Sequence, residues 1–292
     1  MLIHNKRNGH NFETNIKASA SKVWQVLWED GSYMQWTSAF HAGSYAKSDW
    51  KQGSKIQFLA PDGNGMYSKI EELEPFKKMI FKHLGEIKDY KEQPIDESAS
   101  WTGSKESYTL TEDKEQTKLV VNVDFPHEME AYFSEAFPKA LAIVKELSEK
   151  NYITVTTSID ATIDKVWDYW IDPKHIVQWN NASEDWHTPK ATNHLKVGAH
   201  FCFTMAAKDG SMSFDFEGTY IDVIPQEKIS YAIVGGRKVF VLFAAIDNQI
   251  KIVETFEAEK ENPTEMQKQG WQSILDNFKK HVESNDDTQP LN

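Results

Sequence analysis

Apolar residues recur at every second position over two stretches in the second half of the chain. Phe201, Phe203 and Met205 alternate with His200, Cys202 and Thr204, and Met212, Phe214, Phe216, Gly218 and Tyr220 alternate with Ser213, Asp215, Glu217 and Thr219. That period predicts antiparallel strands with one face on a core. Strands are also expected over 11–17, 79–83, 106–111 and 118–124, and over 152–159, 229–234, 239–246 and 250–258, with hairpin turns at Asp62-Gly63 and Asp209-Gly210. Elsewhere the spacing becomes three and four. Val23, Val26 and Leu27 follow Ser19, and Val166, Tyr169 and Trp170 follow Thr162, each hydroxyl suited to cap a helix. Asp172-Pro173 starts a second short helix ending near Trp179, and roughly fifteen irregular residues are expected after Trp36 and again after Trp179.

Two long helical stripes remain. One holds Phe133, Phe137, Leu141, Val144 and Leu147, the other Trp271, Ile274, Leu275, Phe278 and Val282. Asn262-Pro263-Thr264-Glu265 predicts a cap, an N1 proline and an N3 glutamate for the second, whereas Pro138 predicts a kink or restart in the first. A sheet with one apolar face needs a cover, and these helices are the only long apolar stripes available. The expected fold class is therefore α+β, a curved antiparallel sheet gripping a long C-terminal helix, built twice.

The doubling is written in the sequence. Ile16 to Ser38 and Ile159 to Asn181, laid together without a gap, agree at Ile16, Ala18, Lys22, Val23, Trp24, Gln35 and Trp36. A period this long is a domain rather than a solenoid unit. Domains are expected at 1–150 and 151–284, with a polar tail at 285–292; the length of 292 residues suits two such cores.

The net charge of −12 divides without a basic platform: 19 basic and 23 acidic residues up to Lys150, 13 and 21 beyond it. Phosphate binding needs clustered Lys and Arg, so nucleic acid is not an expected partner. A single cysteine, Cys202, excludes an internal disulfide and fits a reducing compartment. The start of the chain lacks the apolar run of a signal peptide, and no stretch approaches a membrane span. We expect a cytoplasmic protein with no membrane partner.

The run from Ile159-Asp160-Ala161 through Lys165-Val166-Trp167, Gly198 and Pro225 to Gly270-Trp271-Gln272-Ser273-Ile274-Leu275-Asp276-Asn277-Phe278 resembles the C-terminal-type domain of the activator of Hsp90 ATPase family. That family belongs to the START-like, Bet v 1-like (SRPBCC) helix-grip superfamily, and the likeness covers residues 151–284. The first half resembles the same superfamily through the repeat, and through Phe81-Lys82-His83-Leu84-Gly85, Trp101 and Glu106-Ser107-Tyr108-Thr109-Leu110. It departs in a polar insertion over 91–103 and in Pro138. The resemblance implies a cavity between sheet and helix that holds apolar small molecules in many relatives. It also implies co-chaperone action in the eukaryotic namesake and cyclase or hydrolase chemistry in scattered branches. The namesake's separate Hsp90-stimulating N-terminal domain has no counterpart in residues 1–150.

Candidate ligand-binding residues are the aromatic sets Trp179, Phe203, Phe214, Phe216, Tyr231, Phe243, Trp271 and Phe278, with Trp36, Phe58, Phe81, Trp101, Tyr108 and Phe137 in the first half. They line a pocket or simply form core. Because its stripe is uninterrupted, the second half is expected to hold the better-defined cavity, with Trp101 plugging the first. Asp215 and Glu217 share a strand face opposite the aromatic one and read as solvated; His187, His194 and His200 lack metal-site spacing and read as surface. Cys202 points away from the apolar face. No GxSxG, HExxH, P-loop or GxGxxG occurs. The expected function is non-catalytic binding of a hydrophobic or aromatic small molecule, with no cofactor and no metal. The alternatives are a polyketide cyclase-like or hydrolase-like enzyme and a chaperone-interacting protein.

Overall fold

The computed structural model describes residues 8–99 and 101–285; the first seven residues, Ser100 and the expected polar tail from 286 onward lie outside the described residues. Two compact units divide between Lys150 and Asn151.

The first unit runs β1 (Asn8–Ile16), α1 (Ala20–Trp28), α2 (Asp30–Thr37), β2 (Tyr45–Lys47), β3 (Lys55–Leu59), β4 (Gly65–Glu74), β5 (Lys78–Lys88), β6 (Lys91–Glu92), β7 (Lys105–Asp113), β8 (Gln116–Phe125) and α3 (Glu130–Glu149). Its sheet order is β1-β8-β7-β5-β4-β3-β2, with β6 paired to β5. The second unit runs β9 (Tyr152–Ile159), α4 (Ile163–Ile171), α5 (Pro173–Trp179), β10 (Trp186–Thr192), β11 (His200–Ala207), β12 (Ser213–Ile224), β13 (Lys228–Ile233), β14 (Lys238–Ile246), β15 (Gln249–Glu257) and α6 (Thr264–Ser284). Its order is β9-β15-β14-β13-β12-β11-β10. Set β6 aside and the two orders correspond strand for strand. Both units are helix-grip folds: an antiparallel sheet whose inner face is covered by the closing helix and the helix pair after the first strand.

The repeated residues explain why the pair α1–α2 recurs as α4–α5. Ser19 accepts from the Lys22 amide and Thr162 from the Lys165 amide, so each first helix starts on a hydroxyl cap. The repeated tryptophans then lock the second helix to the first: Trp36 Nε1 donates to Leu27 O at 3.0 Å, and Trp179 Nε1 to Tyr169 O at 3.1 Å. Val23 and Val166 are fully buried beneath them. The Asp-Gly turns close the β3–β4 and β11–β12 hairpins, with Asp62 accepting from the Asn64 amide and Asp209 from the Ser211 amide, while Gly63 and Gly210 take φ near +80° and +75°.

Several expectations need correction. The chain after Trp36 and Trp179 is not wholly irregular, because it supplies the edge strands β2 and β10. Pro189 concealed the second of these; at an edge a proline needs no ladder partner, and the register shifts between His187 and Lys190. Helix α3 runs through Pro138 without a break. Asn262 does not cap α6 with its side chain. The Glu259 carboxylate instead accepts from the Asn262 amide at 2.7 Å, and Gln267 Nε2 donates to Asn262 O at 2.8 Å. Trp271, on the apolar stripe of α6, is half-buried and stacked on Phe256 with centroids 4.0 Å apart. No helix among the described residues is long and apolar enough to cross a membrane.

Candidate functional site

The strand β5 buries every second residue, Met79, Phe81, His83, Gly85 and Ile87. The inward place between Phe81 and Gly85 is thus held by an imidazole. On β7 the same period turns Glu106, Tyr108 and Leu110 to the interior. These two strands pair antiparallel with Phe81 opposite Glu106, which brings the polar side chains of both to one spot under the helices.

There the first unit holds a cavity of about 610 Å³, within the range of small-molecule pockets. Its walls are aromatic: Trp28, Tyr33 and Trp36 from the helix pair, Phe58 from β3, Phe81 from β5, Tyr108 from β7, and Phe133 and Phe137 from α3. Trp28 meets the edges of Phe81 and Tyr108 with centroids at 5.5 and 5.0 Å, so the wall is a connected set of rings. The exposed pair Glu86–Lys88, 2.7 Å apart, lines it at the solvent edge.

His83, Glu106 and Tyr108 form its polar end. Ser68 Oγ and His83 Nδ1 are 2.8 Å apart, His83 Nε2 lies 3.6 Å from Glu106 Oε2, and the Tyr108 hydroxyl donates to Glu106 Oε1. Burial pushes the Glu106 carboxyl up to about 7, against the opposing pull of the Tyr108 hydrogen bond. Burial pushes His83 down to about 4. Tyr108 and Tyr33 are raised well above the ordinary phenol value by burial, and further by the Glu106 charge. Near neutral pH the imidazole is therefore uncharged and the carboxyl is poised between acid and anion. Trp28 Nε1 and Ser104 Oγ, on two more lining residues, are buried polar atoms with no protein partner. Leaving such an atom unpaired costs about 1–3 kcal/mol, which a water or a bound group can recover.

All six aromatic candidates of the first half, Trp36, Phe58, Phe81, Trp101, Tyr108 and Phe137, lie around this cavity. Trp101 lines the space instead of plugging it. In the second unit the candidates are brought together as packing. Trp170, Trp179 and Phe278 stand within 5.3 Å of one another by ring centroid, Phe243 packs on Trp170, and Trp271 on Phe256 and Phe216. Tyr231 is buried and Phe203 packs beside Phe201. Phe214 departs from the set, 47% exposed near the outer end of β12 against Trp186. The cavity described here therefore lies in the half expected to hold the less well-defined one, while the large rings of the second half pack on one another.

The second unit also buries a carboxyl. Glu254 is pushed up to about 8 by burial, and the Tyr231 hydroxyl donates to it at 3.4 Å. It stands among core residues. Asp215, Glu217, His187, His194 and His200 are exposed. Cys202 is half-buried, and burial with the nearby Asp215 and Glu217 charges pushes its thiol up, away from the reactive thiolate. No cluster of three metal-ligating side chains occurs among the described residues.

Sequence reasoning overlooked His83 and Glu106 as chemistry. The signal was there: each is a polar residue at an inward position of a period-two apolar strand. The alternation in β5 and β7 drew attention to the aromatic members alone.

The family model described as Activator of Hsp90 ATPase homolog 1-like protein matches this chain twice, over residues 17–149 and 160–283. No curated protein matches the chain. Among solved structures, an AHSA1-like protein from Aeromonas hydrophila is 44% identical, covering 46% of this chain and 93% of its own, with a TM-score of 0.44. The protein Chr148 from Cytophaga hutchinsonii is 50% identical over 45% of this chain and 91% of its own, with a TM-score of 0.41. The di-domain ARO/CYC protein BexL from the BE-7585A biosynthetic pathway spans 96% of this chain and all of its own at 14% identity and a TM-score of 0.39.

Proposed function

We propose that this chain, which belongs to the Activator of Hsp90 ATPase homolog 1-like family through both of its halves, binds a small molecule with an aromatic or otherwise apolar body in the cavity of its first unit. The observation that carries this reading is the combination of about 610 Å³ of space, aromatic walls and a confined polar end at His83 and Glu106. Apolar walls provide the affinity, and a few convergent polar groups fix orientation.

The test is titration of the full chain with the neutral fluorophore N-phenyl-1-naphthylamine at pH 8. Saturable binding is expected, lost in Met66→Trp, which fills the lining of the first-unit cavity, and kept in Phe216→Trp in the second unit. No saturable binding to the native chain, or equal binding to Met66→Trp, overturns the reading.

The His83–Glu106 pair favours a second reading, proton transfer on the bound molecule. A carboxyl held near 7 is matched to general base work at neutral pH. Glu106 would take a proton from a carbon next to a ligand carbonyl, leaving an enolate, and return it to the same carbon. Deuterium exchange into 2-tetralone in heavy water, monitored by NMR, checks this. Acceleration by the native chain and not by Glu106→Gln supports the reading, and equal rates rule it out.

A further inference from the structure

The charges around the first-unit cavity are distributed unevenly, and this bears on the class of its ligand. Among the described lining residues, Lys88 is the single Lys or Arg, and it is exposed and paired with Glu86 at the solvent edge. The neighbour of Glu106 in sequence, Lys105, pairs with Glu71 at 2.5 Å and does not line the cavity. The interior holds Glu106, with 19% of its side-chain surface open while it lines the cavity. Its one close donor is Tyr108. We propose that the cavity is a site for a lipophilic cation, an aromatic body bearing a protonated or quaternary amine whose charge rests against the Glu106 carboxylate.

This assignment rests on the reading that the cavity binds a small molecule at all. An isolated buried carboxylate is costly, and an opposite charge at close range is what offsets it. A ligand anion would face a like charge with no interior cation to hold it. The walls suit a cation as well, because aromatic rings present a negative face to positive charge; Trp28, Trp36, Phe81 and Tyr108 all surround the space. The three features are independent: where the acid sits, that the single lining Lys or Arg stands at the solvent edge, and what the walls are made of.

The proton balance follows. Below about 7 Glu106 holds a proton in the free protein, so a quaternary ammonium must displace it, and one proton is released for each cation bound. The titratable groups facing Glu106 are His83 from β5, Tyr108 from β7 and Tyr33 from α2. His83 titrates near 4 and both tyrosines well above 10, so none of them changes charge between pH 6 and 8; His41, Glu86 and Asp124 also line the cavity, and the same profile in Glu106→Gln separates Glu106 from them. Affinity for a quaternary ammonium rises about tenfold over that interval and then levels.

Isothermal titration calorimetry on the full chain with three naphthalene probes tests the assignment. These are (2-naphthylmethyl)trimethylammonium, the neutral 2-naphthylmethanol and the anion 2-naphthoate. At pH 8 the ammonium is expected to bind at least about tenfold more tightly than the alcohol, and the naphthoate more weakly than both. In Glu106→Gln, with folding checked by near-ultraviolet circular dichroism, the ratio of ammonium to alcohol affinity falls to about one. Equal affinities in the native chain, or a preference that survives Glu106→Gln, overturn the cation site while alcohol binding leaves the cavity reading intact. If no probe binds, both fall. Should the variant not fold, the native pH profile decides: an ammonium affinity constant from pH 6 to pH 8 overturns the proposal.

Discussion

His83 and Glu106 face each other on the inner surface of the first-unit sheet, Nε2 to Oε2 at 3.6 Å, from paired strands β5 and β7. Burial drives both toward their neutral forms, the acid up to about 7 and the imidazole down to about 4. Between those values the polar end of the cavity carries no net charge. It becomes anionic above them, which makes the Glu106 proton the natural variable to perturb.

Tyr108→Phe removes the hydroxyl that stabilises the ionised Glu106 carboxylate. The Glu106 carboxyl should then titrate above about 7, and loss of the hydrogen bond should cost about 1 kcal/mol of stability. A carbon-13 NMR titration of the glutamate carboxyls measures the first effect and urea unfolding the second. A Glu106 titration unmoved or lowered would show that Tyr108 is not its donor.

Glu254 gives the second unit a pH-dependent stability. Its folded-state value of about 8 exceeds the ordinary 4.5, so from pH 4.5 to pH 8 the folded chain keeps a proton that the unfolded chain has lost. Stability from this group is therefore full below about 4.5, falls as pH rises, and is gone above about 8. The change is on the order of 5 kcal/mol. Denaturant unfolding of the native chain and Glu254→Gln at pH 5 and pH 8 isolates it: the native chain should lose stability relative to the variant at the higher pH.

Trp271→Ala removes the ring stacked on Phe256 at 4.0 Å. The half-buried position places the cost below that of an enclosed tryptophan, at about 2 kcal/mol. Trp271→Phe should recover more than half of it in the same urea titration. An unfolding midpoint unchanged in Trp271→Ala would mean that α6 does not depend on this contact.

At Gly85 a Cβ would come within 2.5 Å of the buried Tyr67 ring, whose hydroxyl donates to Gln93 O at 2.9 Å. Gly85→Ala should therefore displace Tyr67 and free the segment after β6, at about 1–3 kcal/mol. Limited proteolysis between residues 91 and 103 should accelerate in the variant. Unchanged cleavage with unchanged stability would show that Tyr67 has room to turn aside.

The sequence by itself determined what is local and periodic. Alternation in Phe201 to Met205 and the β-branched run of Tyr152–Ile159 specify strands because side chains of a strand point to opposite faces, whatever the sheet they join. Ser19 and Thr162 mark helix starts because a cap bonds within its own turn. The repeated Lys-Val-Trp and Gln-Trp positions set two matching helix pairs, and so two helix grips. Only the tertiary structure decided that the first grip encloses this cavity. Whether Trp170, Trp179 and Phe278 meet, or Trp36, Phe58 and Phe137 stand apart around a space, depends on the distance from helix to sheet, which no local pattern encodes. Pro138 illustrates this: its missing amide predicts a kink or restart, yet α3 is one helix from Glu130 to Glu149, with Phe137, Leu141 and Val144 buried along it. The pairing of His83 with Glu106 likewise joins residues on separate strands across the insertion. It needed the register of β5 against β7, and register is fixed by the whole sheet rather than by either strand.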